Sequence, residues 1–279
     1  TNGATIANNI VEHNAAFGIQ AYPDCDNADI ANNTIVANGK AGVIVGGDGE
    51  TATESTQVVN NIITRNRAQG ILGYWEGNTG GDNRAFGNLI ASNGGDGVWV
   101  GATAGAGNAI LGNTLYSNTG LAIDLGANGV TANDTNDGDS GANDLLNFPV
   151  VTKVVQNGAN LDVTLVLDVP AGNYRIELYQ NPAGIDATRY GEGQAFLGAL
   201  TVASTGGAQT YTGTLTGVTA TSITRISATA TRDLGAGSYG STSEFGPRAG
   251  LVVSTTADTI DGTTTSVARF SGGNWVLQA

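Results

Sequence analysis

The stretch Asn33-Thr34-Ile35-Val36-Ala37-Asn38 decides how the chain is read, because its pattern occurs four more times. The other copies are Asn9-Ile10-Val11-Glu12-His13-Asn14, Asn61-Ile62-Ile63-Thr64-Arg65-Asn66, Asn88-Leu89-Ile90-Ala91-Ser92-Asn93 and Asn113-Thr114-Leu115-Tyr116-Ser117-Asn118. Successive first asparagines lie 24, 28, 27 and 25 residues apart. Each copy is followed by a glycine and an aliphatic residue: Gly18-Ile19, Gly42-Val43, Gly70-Ile71, Gly97-Val98 and Gly120-Leu121. A fixed period of this size marks a solenoid, in which each repeat buries its apolar face only against its neighbours. The spacing predicts one coil per repeat, with Val11, Ile35, Ile63, Ile90 and Leu115 stacked inward. The five first asparagines stand two positions earlier, on the same side of the chain. Stacked asparagine side chains bond to one another along the axis and satisfy bent backbone. Each glycine is expected to permit a corner with positive φ. Ile19, Val43, Ile71, Val98 and Leu121 then face the interior. Leucine-rich repeats share the period, but they need several leucines and usually a helical side. Here Ile, Val, Asn and Gly dominate, and no helical periodicity is present.

Outside the repeat, composition narrows the classes. Of 279 residues, 43 are glycine, 40% are hydrophobic and 13% are charged, which suits short strands and tight turns rather than disorder. The formal charge is −13, from 11 Lys and Arg against 24 Asp and Glu. That charge repels nucleic acid and anionic membrane, so neither is an expected partner. The lone cysteine, Cys25, allows no intrachain disulfide and no zinc cluster, and reads as a small half-buried side chain. No apolar run is long enough to span a bilayer, so membrane insertion is not expected. The chain opens mid-pattern at Thr1, as a processed or excised piece would. Composition points to secretion or the cell surface.

Past Pro149 the repeat stops. Leu161, Val163, Leu165 and Leu167 alternate with polar or smaller residues, as do Tyr174, Ile176 and Leu178. Further strands are expected over 195–202, 209–216 and 223–231, with turns at Pro170-Ala171-Gly172, Asn181-Pro182 and Gly206-Gly207. Short strands at this spacing predict an antiparallel β-sandwich. The fold class is therefore all-β: a parallel β-helix of about five coils over 1–128, an acidic linker over 129–148, a sandwich over 149–250 and a strand-forming tail over 251–279. In the tail, Val267, Phe270, Trp275 and Leu277 sit on two strands separated by Gly272-Gly273. Two strands bury no core alone. They are expected to pack on the sandwich or to be donated to a neighbour.

The Asn-x-aliphatic-x-x-Asn unit followed by Gly-Ile or Gly-Val resembles the right-handed parallel β-helix repeats of secreted bacterial proteins. These include polysaccharide lyases and large surface proteins. The run from Gly120-Leu121-Ala122-Ile123-Asp124 to Leu146-Asn147-Phe148-Pro149-Val150 is similar to the end of the β-helix in non-enzymatic bacterial surface proteins. Gly191-Glu192-Gly193-Gln194-Ala195-Phe196-Leu197-Gly198 and Ser243-Glu244-Phe245 resemble their following immunoglobulin-like module. The resemblance implies a structural or adhesive role, on a scaffold that also hosts lyases.

Four constellations carry candidate chemistry. The linker offers Asp134, Asn136, Asp137, Asp139, Asn143 and Asp144, whose alternating oxygens partly mimic a calcium loop without its bidentate glutamate. Calcium is the expected cofactor, in a structural role that stiffens the joint; the alternative is a solvated loop. Tyr22, Tyr74, Trp75 and Trp99 follow the Gly-aliphatic corner and are the candidate glycan-binding aromatics. Gln20, Ile44, Leu72 and Trp99 succeed the inward residues, and three of them form an outward apolar stripe that calls for a cover. That cover is the chain's own sandwich or another subunit. Ile44, Leu72 and Trp99, with the tail positions, are thus the candidate assembly surface. Lyase chemistry would draw on Asp24, Asp26, Asp48, Glu50 or Asp82 with Lys40, Arg65, Arg67 or Arg84, but none line up at the repeat spacing. Asp96 and Asp124 near coil corners are equally unmarked for hydrolysis, and His13 reads as a surface histidine. No catalytic residue is assigned. Because the first coil, starting at Thr1, leaves an edge that needs a cap, self-association into a filament through that open end and the C-terminal strands is expected, with a glycan-binding adhesin and a calcium-dependent lyase as alternatives.

Overall fold

The computed structural model describes residues 2–48, 50–75, 82–126, 129–181, 190–220, 225–250, 252–253, 267–271 and 274–278. Side chains are described up to residue 250, apart from those of Tyr74 and Trp75. The first half is a right-handed parallel β-solenoid of three five-stranded sheets. The first sheet stacks Thr5–Ala7, Asp29–Ala31, Gln57–Val59, Arg84–Phe86 and Ala109–Leu111. The second stacks Ile10–Glu12, Thr34–Val36, Ile62–Thr64, Leu89–Ala91 and Thr114–Tyr116. The third stacks Ile19–Ala21, Val43–Gly47, Ile71–Trp75, Val98–Val100 and Ile123–Leu125. Five coils result, each contributing one strand to every sheet.

The corners explain why three-residue strands suffice. One residue before each first asparagine the backbone is left-handed: Asn8, Asn32, Asn60, Gly87 and Gly112, with φ between 54° and 65°. The same holds before each second asparagine, at His13, Ala37, Arg65, Ser92 and Ser117. A third left-handed corner precedes the first sheet, at Gly3, Asn27, Ser55, Asp82 and Gly107. Asparagine, aspartate and glycine tolerate this conformation best. The following asparagine then satisfies the bent backbone. Asn61 Oδ1 accepts from the Asn33 amide N–H at 2.8 Å and from Asn33 Nδ2 at 3.0 Å, while Asn33 Nδ2 also donates to the Ile6 carbonyl. The bonds repeat coil after coil along both ladders, and Asn33, Asn38, Asn61, Asn66, Asn88, Asn93 and Asn113 are buried. Ile35, Ile63, Ile90 and Leu115 fill the interior as the repeat requires.

Two details depart from the sequence reading. Gly18, Gly42, Gly70 and Gly97 do not have positive φ. They are glycine because a Cβ would meet the inner aliphatic residue of the next coil, as at Gly70, where Ile90 Cγ2 would lie 2.3 Å away. Leu121 is not the fifth inward residue of the third sheet; Ile123 pairs with Val98, and Ala122 holds the glycine position. The constant element is the five-residue step from the second asparagine, Asn93 to Val98 and Asn118 to Ile123, and not the Gly-aliphatic pair.

Residues 150–250 form two antiparallel sheets. One joins Val150–Asn157, Asn160–Val169 and Gly207–Leu215, with Val252–Val253 added in parallel to Val150–Asn157. The other joins Ala195–Ser204, Gly172–Asn181, Arg225–Gly235 and Ser238–Thr242. Leu161, Val163, Leu165 and Leu167 from the first meet Tyr174, Ile176, Leu178 and Ala228 from the second in one core. The tail strands Val267–Ser271 and Asn274–Gln278 pair with each other as a hairpin. The side chains of Val267, Phe270, Trp275 and Leu277, and so their expected packing, lie outside the described residues.

The last coil does not end in solvent. The Ile110 amide donates to Thr242 Oγ1 and the Gly107 amide to Ser241 Oγ. Gly112 donates to Glu177 Oε2 at 2.7 Å, Ser117 to Glu192 Oε1 at 2.8 Å, and Leu125 to Glu244 Oε1 at 2.9 Å. Leu115 and Gly193 exchange both backbone bonds as an isolated bridge. The two-sheet domain thus supplies acceptors to all three sheets of the final coil, the capping that a solenoid edge requires.

Candidate functional site

That docking creates a cleft of about 500 Å³ against the outer face of the first sheet. Its solenoid wall comes from the second, third and fourth coils. Asn27, Ser55 and Asp82 are the left-handed corner residues of these coils, and Gln57 and Arg84 follow two residues after Ser55 and Asp82. Parallel register sets Gln57 beside Arg84, one strand spacing of about 4.8 Å apart. The opposite wall is the hairpin of the second sheet, with Leu234, Ser238 and Tyr239. The Arg175 guanidinium lies 5.9 Å from the Tyr239 ring centroid and is itself held by Glu177 at 2.9 Å. Glu177 is fully buried and also accepts from Gly112 and from the Tyr179 hydroxyl. Tyr239 is therefore oriented by the same contacts that close the solenoid. Arg84 and Asp82 are exposed at the cleft, and among the described residues neither makes an ion pair. Sequence reasoning had Asp82 and Arg84 only as unaligned charges. It missed Gln57 and Tyr239, because their proximity depends on how two domains dock.

A second groove, of about 390 Å³, runs along the outer face of the third sheet. Of the four expected glycan-binding aromatics, Tyr22 and Trp99 line it together, with Phe17, Gln20, Ile44 and Leu72. The side chains of Tyr74 and Trp75 lie outside the described residues. Ile44 and Leu72 are only 5% and 7% exposed and pack with Ala41 against the chain's own Phe17 and Trp99. Lys40 lies 5.2 Å over the Phe17 ring. Gln20 and the Tyr22 hydroxyl are polar groups in a lining that is otherwise mostly apolar.

The linker is ordered through Asn147, whose amide donates to Asp137 Oδ1 and whose side chain bonds Asp134 backbone on both sides and the Asp168 carbonyl. Asp134, Asp137 and Asp139 each bring a carboxylate oxygen within 4.8 Å of the others. Burial, with the neighbouring carboxylates adding to it, pushes the Asp137 carboxyl up to about 6. Asn136 stands exposed at a left-handed position. The other two expected ligands serve the joint instead. Asn143 is fully buried; its Oδ1 accepts from the Asn108 amide, and its Nδ2 donates to the Asn108 and Thr242 carbonyls. It is the last rung of a third ladder, after Asn83 and Asn108. Asp144 accepts from the Ser241 hydroxyl.

The remaining charged candidates are dispersed. Among the described residues Asp24, Asp26, Asp48, Glu50 and Asp82 do not gather into a three-carboxylate group. Asp48 instead accepts from the amides of Thr51 and Glu50, which lower its carboxyl below the ordinary value. Asp96 accepts from the Leu121 amide, and burial raises it. His13 is exposed at its corner, and Cys25 is half-buried against the solenoid core.

Residues 1–80 match the family model described as the right handed beta helix region. No curated protein matches the sequence. Among solved structures the chain is similar to the crystal structures of the periplasmic alginate epimerase AlgG and of a point mutant of it, at 24% identity and TM-scores of 0.38 and 0.36. Each match covers 44% of this chain and 27% of the other, so the chain spans about a quarter of that protein's length. Among the described residues no helix is long and apolar enough to cross a membrane.

Proposed function

We propose that the chain is a non-catalytic saccharide-binding module of a secreted or cell-surface adhesive protein, with the cleft between solenoid and two-sheet domain as its site. The observation that carries this reading is the convergence of Asn27, Ser55, Gln57, Asp82 and Arg84 from three coils opposite Tyr239. A sugar presents paired hydroxyls and an apolar C–H face. Amides, a carboxylate and a guanidinium supply both donors and acceptors for the first, and an aromatic ring matches the second. Strands stacked in register hold these groups rigidly, which keeps the entropic cost of binding low. Glycoside hydrolysis uses two opposed carboxylates, whereas among the described residues Asp82 is the one carboxylate in this lining; that favours binding over hydrolysis. The charge of −13 favours neutral glycans over polyanions. The third-sheet groove supports the reading less, since Gln20 and the Tyr22 hydroxyl are few polar groups for a sugar's hydroxyls in a lining that is otherwise mostly apolar. Assembly into a filament through the first coil and the C-terminal strands is a separate reading, on which the capping of the last coil does not bear.

The test is a screen of neutral oligosaccharides followed by calorimetry on the intact chain. A ligand found there is expected to lose at least about tenfold in affinity with Gln57→Ala or Tyr239→Ala, about the worth of one hydrogen bond or ring contact. It should bind Trp99→Ala as it binds the wild type. No bound glycan, or a ligand lost with Trp99 and not with Gln57 and Tyr239, would reject the assignment.

A further inference from the structure

The joint between the domains holds a buried carboxylate that saccharide binding does not use. Glu244 is 2% exposed; its Oε1 accepts from the Leu125 amide and its Oε2 from the Thr131 amide, both at 2.9 Å. One side chain thus ties together the last coil, the linker and the end of the second sheet. Beside Leu125 on the coil stands Asp124, itself only 6% exposed. Asp124 is the charged group that bears on Glu244 from the coil. From the linker Glu244 meets Thr131, and its own segment brings Ser243 and Phe245, all uncharged. Burial and a like charge on the neighbouring coil both favour the neutral acid at Glu244.

We propose that Glu244 is a latch, which clamps the two-sheet domain to the last coil while it holds a proton and loosens as the proton is lost. Burial, followed by the Asp124 charge, raises the Glu244 carboxyl from 4.5 to about 7, against the two amides that lower it. The stabilisation is full below the unfolded value near 4.5 and is lost as pH rises through about 7, because between these limits the folded chain binds the extra proton. The inference is independent of any saccharide.

Carbon-detected NMR on the intact chain reads the Glu244 carboxyl directly. Its midpoint is expected near neutrality and should fall in Asp124→Asn. Urea unfolding at about pH 5 and about pH 8 gives a second reading: the folding constant of wild type relative to Glu244→Gln should drop by one to about two orders of magnitude across that range. Comparison with the variant cancels other groups, Asp137 included. A wild-type midpoint near the ordinary glutamate value, or a ratio that does not change with pH, would overturn the latch. Should Glu244→Gln fail to fold, the Glu244 midpoint in the wild-type chain decides alone, and a value near that of an ordinary glutamate refutes the proposal.

Discussion

Removing Asn66 tests the ladder where it is most enclosed. Asn66 is 1% exposed and sits in the third of five coils. Its Oδ1 accepts from the Asn38 amide at 3.0 Å and from Asn38 Nδ2 at 2.9 Å; its Nδ2 donates to the Ile35 carbonyl and to Asn93 Oδ1. Asn66→Ala leaves the Asn38 N–H without this acceptor and the Ile35 carbonyl without this donor, both where water has no room. Each such buried orphan costs about 1–3 kcal/mol, so the variant should lose about 2–6 kcal/mol. That is a large fraction of the stability of an ordinary domain. Asn66→Asp keeps the shape but turns an oxygen toward two acceptors, and should cost at least as much. Asn9→Ala removes the equivalent first-ladder residue at an exposed rung, where water replaces the lost bonds, and should cost less than about 1 kcal/mol. Urea unfolding with an unchanged slope measures all three. Equal losses at Asn66 and Asn9 would refute the argument, because they would mean that burial of the ladder contributes nothing.

Other perturbations have equally definite outcomes. Gly70→Ala places a Cβ 2.3 Å from Ile90 Cγ2 and 2.7 Å from the Gly97 carbonyl, so thermal unfolding should show a loss of about 1–3 kcal/mol from overpacking, whereas conformational freedom alone would predict a gain. Glu177→Gln breaks the buried pair with Arg175 and turns an amide toward Gly112 N–H or Tyr179 O–H; a loss of about 3–5 kcal/mol is expected by urea unfolding, with the ring of Tyr239 released in NMR spectra. Asp137, raised to about 6, is ionised at a cost at pH 7.5, so Asp137→Asn should melt above wild type in chelator, and the gap should close as pH falls below about 6. Calcium, the occupant expected for this loop from sequence, should raise the wild-type melting temperature and leave the variant's unchanged.

The candidate site was only partly legible, for a physical reason that particular residues illustrate. Tyr22 and Trp99 could be paired from sequence, because both follow the same corner of a repeating coil and stacking brings such positions together. Arg84 and Tyr239 could not, since no periodicity links a coil position to a hairpin 155 residues later. Asn143 shows the same limit in reverse: its place in an acidic run suggested a metal ligand, yet the docked domain makes it the closing rung of a ladder.

The amino-acid sequence alone determined the solenoid. Its asparagine and aliphatic positions recur with the coil, each coil meets only its neighbours, and local spacing therefore fixes register, interior and the two asparagine ladders. It also determined the alternating strands of the second half. The tertiary structure decided how those halves meet: Thr242, Glu177, Glu192 and Glu244 reach the backbone of the last coil across 65 to 132 residues of chain. Such contacts obey no period, so only the folded chain shows that these acids satisfy an exposed sheet edge, and that doing so opens a cleft beside it.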